Sequence, residues 1–303
     1  MIVLVASFLG RRYYPIVVNR FLCFCLVISL TSLGMLVGVS CQSFQRQSEP
    51  KGEQPSPLPV EGQVTISVVY DNYQIDDNLA TGWGFGCVIT TPTEVILFDT
   101  GGDSSVLLSN MEKMNIDPEE IDTVVISHIH GDHTGGLDGF LNRNSDVTVY
   151  IPASFPDSWR DRIESHGTEY EDVSEPTQIS EGLYTTGEMG TGIKEQSLIV
   201  DTNQGLVIIT GCAHPGVLNI AEKARDLLPH RELYLVMGGF HLSGSSVSEL
   251  RDILQGFRNM GIHKVAPSHC SGDTCRELFK EEYKEDYIHS GVGRKIVLQN
   301  DVS

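Results

Sequence analysis

The sequence predicts a layered domain of α/β or α+β class, and two observations support this prediction. Short apolar runs rich in Val and Ile end at Gly, Pro, Asn or Asp, and longer segments with helical spacing lie between them. The chain has 303 residues, of which 40% are hydrophobic, so it can bury one large core, and no linker interrupts its middle. One domain is therefore the economical interpretation, although the pattern alone does not choose between the two classes.

The strands are predicted from apolar runs that are bounded by turn residues. The first covers residues 64–70, and the runs at 87–90 and 95–99 form a hairpin around Pro92-Thr93-Glu94. A second hairpin turns at Asn203-Gln204-Gly205. The remaining strands are expected at 124–126, 147–151, 197–201, 206–210, 233–237 and 264–267.

Helices are predicted between these strands. The first covers 104–114 with Asp103 or Ser104 as its cap, and the second covers 134–141 and begins at Gly135-Gly136. Residues 155–192 are polar with few clean periods, and we expect them to form an insertion that frames a substrate mouth. Three further helices are expected at 217–228, 247–260 and 274–283.

The loop after the strand at 124–126 carries the strongest functional signal. It places three imidazoles and one carboxylate within the six residues 128–133. His128 and His130 are two residues apart, so in extended backbone they point the same way and can share one ion. Gly131 is expected to relieve the steric limit on a turn that presents Asp132 and His133 as a second pair. Imidazole and carboxylate donors suit zinc or a similar borderline metal.

This loop resembles the HxHxDH signature of the metallo-β-lactamase superfamily. The stretch Val-Ile-Leu-Phe-Asp-Thr-Gly-Gly at 95–102 is similar to that superfamily's preceding strand and turn. Three later stretches resemble its dihydropterin-ribofuranosylaminobenzene-phosphate synthase-like branch: Val-Ile-Ile-Thr-Gly-Cys-Ala-His-Pro-Gly at 207–216, Gly-Gly-Phe-His-Leu at 238–242 and Pro-Ser-His-Cys-Ser-Gly at 267–272. The resemblance implies a four-layer αββα sandwich with a site at one edge of its two sheets.

The resemblance also implies roles for individual residues. One metal would be held by His128, His130 and His214, and a second by Asp132, His133 and His269. Asp99 would steady the ligand loop from behind, since a metal-bound imidazole usually donates its other N–H to a carboxylate or carbonyl. The residues implied to take part in catalysis or to lie near the substrate are Asp132, His241, Asp71 and Asn72.

Two positions leave alternatives open. Many relatives carry a bridging Asp where this chain has Cys212, so Cys212 contributes a thiolate, or the ions share only a hydroxide, or the second ion binds weakly, or the cysteine is buried and inert. His241 follows two glycines that permit close backbone approach, and it binds substrate, completes a metal shell or packs in its loop.

The motifs predict a binuclear metallohydrolase with two Zn²⁺ ions, in whose place Mn²⁺ or Fe could serve. A metal-bound hydroxide would attack an ester, lactone, amide or phosphodiester bond of a small-molecule substrate. The alternatives are a dihydropterin-transferring synthase related to methanopterin biosynthesis and a β-lactamase. The formal charge of −19 and the lack of a clustered basic footprint argue against a nucleic-acid partner. No oligomeric state is predicted.

The first part of the chain predicts export. Residues 1–40 hold Arg11 and Arg12 ahead of an uncharged run at 21–39, which is typical of a signal peptide or membrane anchor. Small residues before Cys41 resemble a lipoprotein cleavage box, so a membrane-anchored lipoprotein of the cell envelope, or a secreted protein after cleavage, is expected. Residues 41–63 would form a disordered tether, and 64–303 the catalytic domain.

Overall fold

Two β-sheets and the helices that cover them make up the described part of the protein. The computed structural model describes residues 58–298. The strands are β1 (Val64–Asp71), β2 (Phe85–Thr90), β3 (Val95–Phe98), β4 (Thr123–Val125), β5 (Thr148–Pro152), β6 (Glu169–Val173), β7 (Thr177–Ser180), β8 (Leu183–Thr185), β9 (Leu198–Thr202), β10 (Gly205–Thr210), β11 (Leu233–Gly239), β12 (Lys264–Ser268) and β13 (Lys295–Leu298). The α-helices are α1 (Ser104–Lys113), α2 (Gly131–Thr134), α3 (Leu137–Leu141), α4 (Asp157–Ser165), α5 (Val217–Leu227), α6 (Val247–Asn259) and α7 (Asp273–Tyr283).

The strands form one sheet of seven and one of six within residues 58–298. Their orders are β13-β1-β2-β3-β4-β5-β6 and β12-β11-β10-β9-β8-β7. Strands β3 to β6 run parallel, as do β10 to β12. The carboxyl ends of parallel neighbours share one edge of a sheet, and loops that follow such ends commonly build sites. The predicted ligand loops follow β4, β10 and β12, so this topology gathers them.

Alternation of side chains along the strands produces four layers. In β10, Val207 and Ile209 pack between the two sheets, while Ile208 packs against α5, α6 and α7. In the first sheet, Phe98 faces the second sheet, while Leu97 faces α1, α3 and α4. The order helix, sheet, sheet, helix confirms the predicted αββα sandwich and explains why central strands such as β3 and β10 are mainly apolar.

Residues 155–192 differ from the prediction, because they form regular structure instead of an irregular insertion. They contain α4, β6, β7 and β8, and these strands extend both sheets at their edges. Strand β6 buries only Val173 fully, so it has little of the apolar alternation that identifies a strand. Strand β13 was also missed, because its alternation of exposed and buried residues covers only four positions and is too short to stand out.

The helix predicted at 134–141 is two short helices, α2 and α3. A Cβ on Gly135 would lie 2.4 Å from the Gly102 carbonyl oxygen, and one on Gly136 would lie 2.2 Å from that of Thr100. These glycines therefore allow close backbone approach. The turn role predicted for Gly131 is wrong, because this residue begins α2, lacks a positive φ and has open space where a Cβ would be.

The predicted export segment 1–40, Cys41 and most of the predicted tether lie outside the described residues. The last tether residues contact the domain, since Val60 is buried and its N–H donates to the Asp201 carbonyl at 2.8 Å. Within residues 58–298, no helix has the length and apolar character that crossing a membrane requires. The cysteines at 87, 212, 270 and 275 are buried and unpaired.

Candidate metal centre

Three imidazoles from two loops converge at the edge of the sandwich. His130 Nδ1 lies 3.1 Å from His128 Nε2 and 3.3 Å from His214 Nε2. Nitrogens bound about 2.0–2.1 Å from a tetrahedral zinc ion lie about 3.3 Å from one another. The spacing of these nitrogens therefore fits three ligands of one ion.

A hydrogen-bond chain presents the lone pairs of two imidazoles to the site. The Asp99 carboxylate accepts from the Ser127 hydroxyl at 2.7 Å and contacts His133 Nδ1 at 2.6 Å. His128 Nδ1 lies 2.9 Å from the same hydroxyl oxygen. Because the hydroxyl donates to Asp99, His128 Nδ1–H must donate to the hydroxyl. Both imidazoles then keep a bare Nε2, which is the form that binds metal.

A second group lies beside the first. Asp132 Oδ2 is 3.3 Å from His269 Nε2 and 3.7 Å from His133 Nε2, and Cys212 Sγ is 3.2 Å from His133 Nε2. His269 Nε2 is buried and has no hydrogen-bond partner among residues 58–298. An orphaned buried nitrogen is costly unless an ion or water completes it, so this group fits a cation. Asn72 Oδ1 accepts from His269 Nδ1–H at 3.0 Å and fixes that tautomer.

The pKa values of His128, His214 and Asp132 favour the forms that bind cations, whereas, against the effect of burial, the Asp99 carboxylate raises the pKa of His133. Burial, reinforced by neighbouring imidazoles, lowers the pKa of His128 and lowers that of His214 to about 4. Burial opposes ionisation of Asp132, but its close approach to the His269 and His133 rings holds its pKa below the usual range. Neutral imidazoles and an ionised carboxylate are the states that metal ligands need.

Backbone strain is concentrated in the site. Six residues other than glycine have a positive φ within the described chain, and four of these belong to the site loops. They are Asp99 at 55°, Ala213 at 59°, His241 at 55° and His269 at 46°. Such conformations persist where the surrounding structure over-determines them, typically at functional sites.

Glu195 is a site residue that the sequence analysis missed. Its buried carboxylate accepts from the backbone N–H groups of Cys212, Ala213 and His214 at 2.9, 2.8 and 2.7 Å. Burial raises the pKa of Glu195 to about 7, although these bonds stabilise the charged form. Glu195 thus fixes the loop that carries His214 and Cys212. No motif signals this role, because its partners are backbone groups.

The remaining predicted residues lie at the rim or beneath the site. His241 is exposed, and its ring centroid lies 4.4 Å from that of His214. Asp71 is fully buried, and its Oδ1 accepts from the Tyr73 N–H at 2.9 Å; its place near the substrate stays a prediction. Asn72 holds His269, as described above.

An open groove adjoins His269. It has a volume of about 350 Å³, and Tyr73, Trp83 and Leu242 line it. The Trp83 side chain is 60% exposed, and its ring centroid lies 4.9 Å from that of His269. A larger cavity of about 670 Å³ is lined by residues 108–118 together with Arg143, and none of the site residues lines it. The groove is therefore the approach to the candidate centre.

Comparison with known proteins agrees with this geometry. The sequence profile of the metallo-beta-lactamase superfamily matches residues 87–219, which include the loop at 128–133 and His214. Over these residues the chain is similar to the metallo-β-lactamase superfamily. A 7,8-dihydropterin-6-methyl-4-(beta-D-ribofuranosyl)-aminobenzene-5′-phosphate synthase of Methanocaldococcus jannaschii is 28% identical over 242 residues, which are 65% of this chain and 82% of the relative.

Solved structures support the same superfamily. A metal-dependent hydrolase of the beta-lactamase superfamily has 27% identity and a TM-score of 0.66, and the match covers 78% of this chain and all of that one (100%). The short form of human tRNase Z has 13% identity and a TM-score of 0.54, with 77% and 98% covered, and therefore shows the fold alone. The predicted resemblance to the metallo-β-lactamase superfamily and to its synthase-like branch is confirmed.

Proposed function

We propose that this protein is a metal-dependent hydrolase that cleaves an ester, lactone, amide or phosphodiester bond of a small molecule. The observation that carries the proposal is the spacing of three imidazole nitrogens, 3.1 and 3.3 Å apart, beside a second group that includes a carboxylate. The similarity to a metal-dependent hydrolase at 27% identity supports it.

Two ions would be held by the two groups of side chains. His128, His130 and His214 fit one zinc ion, and Asp132, His133 and His269 fit a second, with Cys212 able to add a thiolate to either. The same donors accept Mn²⁺ or Fe. When bound, such ions lower the pKa of water and stabilise negative charge on oxygen.

The chain's own residues would position the reactants. Asp132 is 21% exposed, and its lowered pKa keeps it ionised, so a carboxylate oxygen can accept a hydrogen bond from a water molecule and orient it. His241 lies at the exposed rim, where its ring can donate a hydrogen bond to a substrate oxygen. Trp83 offers a flat apolar wall beside His269 for the rest of the substrate.

Chelation and substitution test this proposal. Purified protein should turn over at least one member of a panel of chromogenic phosphodiesters, lactones and β-lactams, lose this activity to a chelator, and regain it with Zn²⁺ or Mn²⁺. We expect Asp132→Ala to lower turnover by about 10²–10⁴-fold. His263→Ala is the matched control, because His263 is 53% exposed and outside the site. Turnover that ignores the chelator would contradict the proposal.

A synthase is the second candidate, and the relative from M. jannaschii favours it. The reaction would transfer a dihydropterin-6-ylmethyl group from its diphosphate ester to the aromatic amine of an aminobenzene riboside phosphate, with release of diphosphate and a proton. Incubation with the dihydropterin-6-ylmethyl diphosphate and an aminobenzene riboside phosphate, followed by mass spectrometry, distinguishes the two candidates. A joined product, together with no turnover on the hydrolase panel, would replace hydrolysis by this transfer.

We also propose that the protein is exported and held at the cell envelope through Cys41. The support is the arginine-led uncharged run at 21–39 followed by small residues and a cysteine. Labelling of cells with a radioactive fatty acid should mark the full chain but not its Cys41→Ala variant. Equal labelling of both chains would exclude lipidation at this cysteine.

A further inference from the structure

A third set of candidate metal ligands lies beside the two groups described above. Cys212, His241 and Cys270 bring their ligand atoms within 4.8 Å of one another. Both cysteines are buried and unpaired. Cys270 directly follows the ligand His269, and the hydrolase proposal gives it no role.

Gly239 allows the backbone to approach this set closely. A Cβ on Gly239 would lie 2.3 Å from the Gly211 carbonyl oxygen and 2.8 Å from Cys270 Sγ, so a side chain there would displace both the backbone and this sulfur. The His241 N–H donates to Cys270 Sγ at 3.3 Å, and a ring nitrogen of His241 lies within 4.8 Å of the same sulfur. His241 adopts its positive φ of 55° in this arrangement. Strained backbone therefore holds an imidazole against a buried thiol.

We propose that Cys212, His241 and Cys270 form a thiolate-rich metal position next to the histidine centre. Two sulfurs and one imidazole match the donors of Cys₂His zinc sites and suit thiophilic ions such as Zn²⁺ or Cu⁺. Each cysteine that binds exchanges its S–H proton for the metal, and the protons pass to solvent. Because Cys212 also lies in the two neighbouring groups, its thiolate can bridge this position to an adjacent ion.

Cobalt titration tests the proposal. Metal-free protein is titrated with Co²⁺ alone, while the thiolate-to-cobalt charge-transfer band and the bound metal per chain are measured. In Cys270→Ser we expect the band to fall to about half, because one of two thiolate ligands is lost. Cys275→Ser is the matched control, since Cys275 is also buried and unpaired but stands outside the set. Equal bands in the two variants would overturn the proposal.

A measurement on the unaltered chain covers the case in which Cys270→Ser does not fold. X-ray absorption of metal-free wild-type protein loaded with one equivalent of Cu⁺, an ion that prefers thiolate ligands, counts the sulfur ligands directly, and the proposal requires two sulfurs on that ion. A single sulfur per ion, or a Cys212–Cys270 disulfide in the metal-loaded protein, would overturn it. Neither result depends on turnover, so this proposal and the hydrolase proposal can fail separately.

Discussion

Asp99 shows how one side chain can organise two metal ligands. Its carboxylate contacts His133 directly at 2.6 Å and reaches His128 through the Ser127 hydroxyl. Both contacts leave the Nε2 atoms facing the centre. A carboxylate behind a histidine ligand fixes the ring and raises its basicity. Loss of such a carboxylate typically weakens metal binding by about 10–100-fold.

Glu195 gives a sharper test at the same scale. In Glu195→Gln the amide nitrogen is a donor, so it cannot accept all three backbone N–H groups that the carboxylate accepts. We expect metal affinity to fall by about 10–100-fold because the loop carrying His214 loosens. Competition with a chromogenic chelator measures this affinity. Glu181→Gln, on an exposed residue, is the control, and equal affinities in both variants would contradict the role of Glu195.

Sequence reasoning found the residues whose signal is local. His128, His130, Asp132 and His133 lie within one loop, and their spacing and residue types are typical of metal ligands. Glu195 gives no such signal, because its partners lie 17–19 residues away and are backbone N–H groups that any sequence would supply. Cys270 was part of a recognised motif, but only the fold brings it to Cys212.

Helices and strands, like individual residues, are predictable where their signal is local in the sequence. The buried strands β3, β4 and β10 were predicted because both of their faces are covered, which leaves continuous apolar runs. The edge strands β6 and β7 were missed, because an edge strand with one exposed face keeps a weaker apolar pattern. Strands with both faces covered are therefore more predictable than strands with an exposed face.

Two glycines in the segment from α2 to α3 should respond oppositely to alanine. Gly136→Ala places a Cβ 2.2 Å from the Thr100 carbonyl oxygen, so backbone must shift, and we expect a loss of about 1–3 kcal/mol. Gly131→Ala meets open space in a helical conformation and should be neutral or stabilising by up to about 1 kcal/mol. Urea unfolding measures both. Equal destabilisation by the two changes would contradict the close approach at Gly136.

The contact between α3 and α4 should make stability depend on pH in acid. The Arg162 guanidinium, which hydrogen-bonds Asp138 at 2.6 Å, lowers the pKa of that carboxyl. A lowered carboxyl pKa adds stability above the unfolded pKa of about 4, and this contribution is lost as pH falls further. Since Asp138 is 42% exposed, Asp138→Asn should lower the free energy of unfolding by no more than about 1 kcal/mol at neutral pH. It should also flatten the acid limb, the part of the curve of stability against pH in which stability falls in acid.

Unfolding followed from pH 7 to about pH 3 measures this dependence. Asp161→Asn, which changes an exposed carboxyl on α4, is the control and should keep the wild-type acid limb. If Asp138→Asn also retains that limb, the contact with Arg162 does not contribute to stability.

At the scale of the whole molecule, metal binding should stabilise the fold. Ions that bind only the folded chain at 100 times their Kd add about 2.7 kcal/mol of stability. For a domain of this size that amount raises Tm by about 5–10 °C. Thermal unfolding with and without a chelator measures the shift, and repeating it with Asp132→Ala should reduce it, because this variant keeps the three histidines of the first ion. An unchanged Tm after complete metal removal would contradict binding at the folded site.

The candidate ligands run from His128 to His269, and they come from loops that follow strands of both sheets. During synthesis the histidines of the loop at 128–133 leave the ribosome long before His269. The full set of ligands can bind an ion only after the second sheet has packed against the first. Since non-local pairing is the slow part of assembling such a topology, ion capture comes late in maturation. A metal ion bound at this centre therefore indicates that both sheets have formed and have packed against each other.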